Sequence, residues 1–338
     1  MSRIRHWLFV SVLLLSPPVG WGQSSAPGQS SAPGQSSAPG QSSVATAQAV
    51  ESAAQAVESV AEALPYSRDQ AMTVKKLNGI DIAYTQAGSS DGTPVLLVMG
   101  LTGSHRLWGE DFVNGLVSQG FRVILFDNRD TGESARLDHL GTPTLWWEIV
   151  KNMIGLDVNA PYSLADMAAD GIAVLDELDV GQAHIVGASM GGMIAQIIAA
   201  QYPERTASLV SIMSTTGAPH LPEATDEAQQ GLMDVGSADE EEMTRQLHDM
   251  GMYPEAMPRQ LMAIVSAGDR SEQVKSIGVR TLVQHGADDP LLPPEHGRHT
   301  AELIQGSRYV EYPNMAHDMP AEVVPALVSD MVNHFRPQ

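Results

Sequence analysis

The sequence contains no cysteine and only four lysines among its 338 residues. The absence of cysteine excludes disulfide bonds, thiolate nucleophiles, cysteine metal ligands and a lipid-modified amino-terminal cysteine. Cationic side chains are scarce, with 19 Lys and Arg against 40 Asp and Glu, and the formal net charge is −21. Because such a chain repels polyanions, we expect neither nucleic acid nor an anionic membrane surface as a partner.

Long hydrophobic runs are missing as well. The apolar stretch at residues 8–15 is much shorter than the roughly 20 residues that a membrane-spanning helix needs. Because Arg3 and Arg5 precede it and small residues flank Trp21, residues 1–22 are predicted to be a secretory signal peptide. We therefore expect an exported protein, periplasmic or secreted, with no integral membrane span after signal removal.

Residues 23–65 have the composition of a tether. Gln-Ser-Ser-Ala-Pro-Gly occurs three times from residue 23, and proline and glycine at this density cannot build a core. In residues 47–64, apolar positions recur at a 3.5-residue spacing, which predicts a short amphipathic helix. Two interpretations stay open, namely weak self-association through 47–64 or a marginal helix within the tether, which so few turns favour.

The globular part, residues 66–338, alternates buried strands with helices. Residues 71–88 predict an antiparallel hairpin that turns at Asn78-Gly79. Further strands are predicted at 94–100, 121–127, 183–186, 207–213, 281–285 and 309–312, and helices at 163–178, 192–200 and 321–335. This order predicts an α/β fold with a mostly parallel central sheet flanked by helices.

Residues 218–268 interrupt the alternation and are predicted to form a short helical cap inserted before the strand at 281. The stretch is acidic and rich in methionine. Its methionines are Met233, Met243, Met250, Met252, Met257 and Met262. Flexible thioether side chains suit either a pliable binding surface or the packing of the cap onto the domain, and both interpretations stay open.

The segment Gly187-Ala188-Ser189-Met190-Gly191 is the most informative motif. A G-x-S-x-G between a buried strand and a helix is typical of a nucleophile elbow, where a sharp turn exposes a serine oxygen above a helix amino terminus. The same pattern at residues 88–92 lies in a polar turn followed by a strand, so Ser90 is interpreted as a loop residue. The context favours Ser189 as a nucleophile over a serine that merely begins a helix.

A serine nucleophile needs a base and an orienting acid, and an elbow predicts the chain order serine, acid, histidine. Asp288 and Asp289 follow the strand at 281–285, at the sheet edge where functional groups gather. We favour Asp289 because a proline after it fixes the turn, and Asp288 stays the alternative. His317 follows the last predicted strand and is the candidate base.

The other histidines receive simpler interpretations. His285 lies inside a strand and is predicted to be a packed core residue. His296 and His299 share an i, i+3 spacing that could suit a metal, but no third ligand lies nearby in the sequence, so surface positions are predicted. We expect neither a metal nor an organic cofactor.

An oxyanion hole needs two backbone N–H groups that point at the developing negative oxygen. The residue after the nucleophile, Met190, is one candidate donor. Leu101, in the glycine-containing turn after an early strand, is the other, although such a turn is also common without any catalytic role.

These motifs together resemble the α/β-hydrolase superfamily over roughly residues 72–337. The segments Val98-Met99-Gly100-Leu101 and Asp127-Asn128-Arg129-Asp130-Thr131-Gly132 are similar to those of its aclacinomycin methylesterase-like carboxylesterase branch. The resemblance implies roles for five residues and a structural role for residues 127–134. The implied roles are nucleophile for Ser189, acid for Asp289, base for His317 and oxyanion hole for Leu101 and Met190.

The sequence thus predicts an exported serine carboxylic-ester hydrolase that acts on small-molecule esters through an acyl-enzyme. A cap shorter than that of many relatives and the exported amino terminus depart from the branch, so the resemblance carries a reaction type rather than a substrate. The same triad would also serve a lipase, amidase, carbon–carbon bond hydrolase or perhydrolase. A non-catalytic binding protein on this scaffold is disfavoured because all three triad members are present.

Overall fold

The computed structural model of the protein describes residues 65–228 and 240–336. The predicted signal peptide, the predicted amphipathic helix at 47–64 and nearly all of the tether lie outside these ranges. Export and self-association therefore stay predictions. Over the two described ranges, every helix is too short or too polar to cross a bilayer.

The centre of the molecule is an eight-stranded sheet. Its strands are β1 (Thr73–Leu77), β2 (Ile80–Ala87), β3 (Thr93–Val98), β4 (Phe121–Phe126), β5 (Ala183–Ala188), β6 (Thr206–Ile212), β7 (Thr281–Gly286) and β8 (Arg308–Tyr312). They lie in the order β1-β2-β4-β3-β5-β6-β7-β8. β2 pairs antiparallel with β1 and β4, and all other neighbours pair parallel, so the fold is the α/β architecture predicted from the sequence.

Nine α-helices have both of their ends in the described part of the chain. They are α1 (Glu110–Val117), α2 (Leu145–Met153), α3 (Leu164–Glu177), α4 (Met190–Gln201), α5 (Glu240–Asp249), α6 (Met257–Ala267), α7 (Ser271–Lys275), α8 (Glu295–Leu303) and α9 (Val324–Phe335). Side chains of α3, α4 and α6 join the apolar cluster on one face of the sheet. Side chains of α1 and α9 join the cluster on the other face, so both faces are covered.

The sequences of the central strands are continuous apolar runs because these strands are buried on both faces. In β3, Leu96 belongs to the first apolar cluster and Leu97 to the second. In β4, Ile124 and Leu125 divide in the same way, since successive strand residues point to opposite faces. Each of these side chains is fully buried, which accounts for the strength of the sequence signal.

Several local predictions are confirmed. β1 and β2 form the predicted hairpin, with positive φ at both Asn78 and Gly79, as a two-residue turn of this kind requires. α3 begins where the sequence predicts it, and Ser163 caps it through a capping box with Asp166. The last helix begins at Val324 rather than at 321, because the chain first makes a turn and a proline occupies the opening turn of the helix.

The segment between β6 and β7 contains the predicted cap, residues 218–268, of which 218–228 and 240–268 are described. It carries α5 and α6, and α6 packs against α2 and α3. Met252 and Met262 are buried, which favours packing over a pliable surface for these two methionines. The bounds of the cap as a unit stay a prediction.

Candidate active site

Ser189 lies at the sharp turn between β5 and α4, with a φ of 57°. A positive φ at a residue with a side chain costs about 1–3 kcal/mol and persists only where the surroundings enforce it. Here a Cβ on Gly187 would lie 2.1 Å from the carbonyl oxygen of Gly191, and a Cβ on Gly191 would lie 2.0 Å from that of Val98. Only glycine fits at these two positions, which explains the motif around Ser189.

Neighbouring strands hold the turn in place. The N–H of Ser189 donates to the carbonyl oxygen of Ile212 at the end of β6, at 2.9 Å. The hydroxyl of Ser214 donates to the carbonyl oxygen of Ser189 at 2.8 Å. Both peptide groups that flank the strained residue are therefore bonded to the segment that leaves β6.

Three predicted site residues meet at the carboxyl-terminal edge of the parallel strands. Ser189 Oγ lies 3.0 Å from Nε2 of His317, and Nδ1 of His317 lies 2.7 Å from Oδ2 of Asp289. The three residues follow β5, β8 and β7 respectively. This is a hydroxyl–imidazole–carboxylate chain at hydrogen-bonding distances, with the carboxylate fully buried and the imidazole slightly exposed.

The surroundings of Asp289 stabilise its ionised form. Its Oδ1 accepts the N–H groups of Leu291 and Leu292, both at 2.9 Å. Oδ2 also lies 3.4 Å from Nε2 of His285. Burial raises the pKa of the carboxyl group, but His317 and His285 together lower it by more, and the pKa of Asp289 ends well below its usual range.

The competing carboxylate, Asp288, is placed differently. Its Oδ2 accepts the N–H of Asn314 at 3.1 Å, in an exposed turn. Its own N–H donates to the carbonyl oxygen of Met315. Asp288 therefore ties together the two loops that carry Asp289 and His317.

A small cavity opens beside the serine. It has a volume of about 20 Å³, roughly the space for one water molecule. Its lining residues are Leu101, Ser189, Met190, Met193, Ile264, Leu291 and Leu292. Both residues predicted to supply oxyanion N–H groups thus border the same space as the serine. Their role as donors stays a prediction.

A second cavity of about 50 Å³ shares Met193, Ile264 and Leu292 with the first. Its wall is mostly apolar and includes the side chain of Arg270. This guanidinium is bonded to neutral acceptors, among them Gln196 Oε1 at 2.9 Å. Burial lowers the pKa of Arg270 to about 10, so the group stays charged at neutral pH. The serine therefore faces a narrow, largely apolar space under α6.

The remaining histidines differ in whether they lie where the sequence predicts. His285 is buried as predicted, and its Nε2 lies 2.7 Å from the carbonyl oxygen of Leu292. The surface position predicted for His296 is wrong, because the loop after β6 covers it and places Thr215 Oγ1 2.7 Å from its Nδ1. His299 is half-buried. In the described ranges no cluster of three or more potential metal ligands is found.

Sequence reasoning missed two contributors to the site. His285 reaches the carboxylate of Asp289, and Gln260 bonds to the turn that contains Leu101. Neither position carries a local signal. The contact of His285 depends on how the chain turns back after β7, and that of Gln260 on how α6 docks across the sheet edge.

Comparison with known proteins agrees with this architecture. The family described as the alpha/beta hydrolase fold matches residues 93–236. The rhodomycin D methylesterase of Streptomyces peucetius is 28% identical over 294 residues, which cover 74% of this chain and 93% of that protein.

Solved structures show the same fold. A hydrolase from Pseudomonas aeruginosa superposes with a TM-score of 0.61 at 21% identity, covering 80% of this chain and 100% of the other. The esterase RhEst1 from Rhodococcus sp. ECU1013 gives a TM-score of 0.59 at 21% identity, over 79% and 98% of the two chains. By its sheet order and its elbow the chain has the α/β-hydrolase fold, and its sequence is similar to those of methylesterases.

Proposed function

We propose that the protein is an exported serine carboxylic-ester hydrolase that works through an acyl-enzyme. The observation that carries the proposal is the continuous chain from Ser189 Oγ to His317 Nε2 at 3.0 Å and from His317 Nδ1 to Asp289 Oδ2 at 2.7 Å. The similarity to methylesterases supports an ester as the substrate. The predicted signal peptide supports export.

In the proposed mechanism each group has one step. With Nδ1–H donating to Asp289, Nε2 of His317 carries the lone pair that takes the proton of Ser189 as Oγ attacks the ester carbonyl. The N–H groups of Leu101 and Met190 stabilise the oxyanion. His317 then gives the proton to the leaving alcohol, and an acyl-serine forms. Water, deprotonated by His317, attacks the acyl carbon, and the acid leaves as Ser189 Oγ takes the proton back.

The low pKa of Asp289 matters for this scheme. A carboxylate that stays ionised fixes the tautomer of His317 and stabilises the imidazolium that forms during attack. A protonated acid could do neither. The buried surroundings of Asp289 thus favour the base role of His317.

Turnover of p-nitrophenyl acetate and butyrate by Ser189→Ala tests the proposal. We expect the variant to lose at least about 10³-fold in kcat, because it lacks the hydroxyl that attacks the ester carbonyl. It should also lose labelling by a fluorophosphonate probe. Ser90→Ala, in the second G-x-S-x-G match, is the matched control and should retain full activity. Wild-type rates for Ser189→Ala would overturn the assignment.

A further inference from the structure

The turn that follows β3 is held by a side chain from α6. The N–H of Gly103 donates to the carbonyl oxygen of Gly100 at 3.2 Å, so Leu101 and Thr102 are the central residues of a β-turn. Thr102 has a φ of 56°. A β-branched residue is a genuine outlier in this region, where glycine is usual, so the turn stores strain that other contacts must offset.

Gln260 supplies such a contact. Its Oε1 accepts the N–H of Thr102 at 2.7 Å, and its Nε2 donates to the carbonyl oxygen of Arg129 at 2.8 Å. Gln260 is fully buried. Both ends of the amide are used, so its orientation is determined, and one side chain bridges the turns that follow β3 and β4.

The helix that carries Gln260 is itself anchored firmly. The adjacent Arg259 makes two hydrogen bonds to Asp130, at 2.9 and 2.8 Å, in a buried bidentate pair. One turn further along α6, Ile264 lines the cavity beside Ser189. A single helix therefore forms a wall of the cavity and bonds to the turn that contains Leu101.

We propose that Gln260 is a positioning residue, through which α6 holds the turn of Leu101 in the geometry of an oxyanion hole. The proposal rests on the proposed function, in which the N–H of Leu101 binds the oxyanion. Without an acceptor at Thr102 N–H, the turn is free to relax the strained φ of Thr102. The N–H of Leu101 belongs to the preceding peptide group, so it moves because the relaxing turn displaces Leu101 itself, while Ser189 and His317 keep their positions.

The first experiment compares Gln260→Met with Gln284→Met on p-nitrophenyl butyrate. Gln284 is the matched control, because it is equally buried and its Nε2 donates two hydrogen bonds away from this turn, to Tyr312 and Leu327. Gln260→Met should lower kcat about 10- to 100-fold with KM within about twofold. Affinity for a trifluoromethyl ketone, which forms an oxyanion, should fall by a similar factor. Gln284→Met should change neither value.

A second pair tests the strain directly. In a Thr102→Gly background a positive φ at position 102 costs little, so the turn depends less on the hydrogen bond to Gln260. Gln260→Met should therefore lower kcat by a smaller factor in this background than in the wild type. Equal losses in both backgrounds would contradict the proposal. So would a loss that falls on KM alone, or one matched by Gln284→Met.

Two further variants apply if Gln260→Met does not fold. Gln260→Glu keeps an acceptor at full reach, whereas Gln260→Asn withdraws it by one methylene group. We expect the higher kcat from Gln260→Glu, and the reverse order would overturn the proposal.

If Ser189→Ala retained activity, the proposed function itself would fail. An inactive Ser189→Ala with an unaffected Gln260→Met would reject the positioning role alone.

Discussion

At the scale of single residues, the adjacent carboxylates Asp288 and Asp289 have sharply different surroundings. Asp289 is buried and lies 2.7 Å from His317 Nδ1, whereas Asp288 accepts a backbone N–H in an exposed turn. Although the two residues are adjacent in the chain, the carboxylate of Asp289 can orient the imidazole, whereas that of Asp288 holds two loops together.

This difference makes a paired prediction. Asp289→Asn should lower kcat about 10³- to 10⁴-fold, because an amide can donate to Nδ1 and stabilise the wrong tautomer of His317. Asp288→Asn keeps an acceptor oxygen and should stay within about threefold of the wild type. Steady-state rates on a p-nitrophenyl ester distinguish them. Comparable losses in the two variants would contradict the assignment of Asp289.

Individual residues also differ in how well the sequence predicts their place in the structure. Ser189, Asp289 and His317 each follow a strand that ends at one sheet edge, and chain order alone places them there. The sequence predicts a surface position for His296, because nothing near it in the chain indicates that the loop after β6 covers it. Gln260 gave no signal for the same reason, since its partners lie 131 and 158 residues away.

At the scale of elements, the junction of β5 and α4 depends on the absence of side chains. The two glycines of the motif leave room for backbone carbonyl groups at about 2 Å from where a Cβ would stand. This packing couples the helix to β3 as well as to β5, because the neighbour of Gly191 is Val98 at the end of β3. Small residues here let three elements converge beneath one serine.

Gly191→Ala is therefore expected to destabilise the protein although it lies in a helix. The gain in helix propensity is at most about 1 kcal/mol. A Cβ 2.0 Å from a backbone oxygen forces β3 and α4 apart, and overpacking of this kind costs about 1–3 kcal/mol, here at the upper end because backbone atoms must move. Urea unfolding measures the difference. Gly278→Ala, where a Cβ meets nothing within 4 Å, is the control and should change stability by less than about 0.5 kcal/mol.

The strands of the sheet are the part of the fold that the sequence predicts best. β3 and β4 are buried on both faces and read as plain apolar runs, and the hairpin of β1 and β2 is marked by Asn78-Gly79. The insertion between β6 and β7 was least predictable. α5 and α6 were foreseen only as an unspecified helical stretch, because their docking depends on polar contacts such as that of Arg259 with Asp130.

At the scale of the whole molecule, three buried histidines make the stability sensitive to acid. They are His184, His296 and His334, and burial lowers the pKa of each to about 4. Each would return to about 6.5 in the unfolded chain. Between these values the unfolded state binds more protons than the folded state, so stability is lost as the pH falls.

We expect the free energy of unfolding to fall by several kcal/mol, on the order of 5–10, between pH 7 and pH 4. Urea denaturation at stepped pH values measures this dependence. His184→Asn, which keeps a partner for Ser208 Oγ but cannot titrate, should make the dependence shallower. His139→Gln, at an exposed position, should leave it unchanged. Stability that is constant or rises toward pH 4 would refute the linkage.

The place of His317 after the edge strand β8 has a consequence for how long the site survives. Ser189 lies in the middle of the sheet, and 128 residues separate it from His317. The loop that carries His317 is held by β8 pairing with β7 and by bonds such as Ala287 N–H to the carbonyl oxygen of Tyr312. Since edge strands open more readily than central ones, fraying of β8 would separate His317 from Ser189 while the rest of the sheet stays folded. If the proposed function holds, loss of activity would therefore precede unfolding of the central strands.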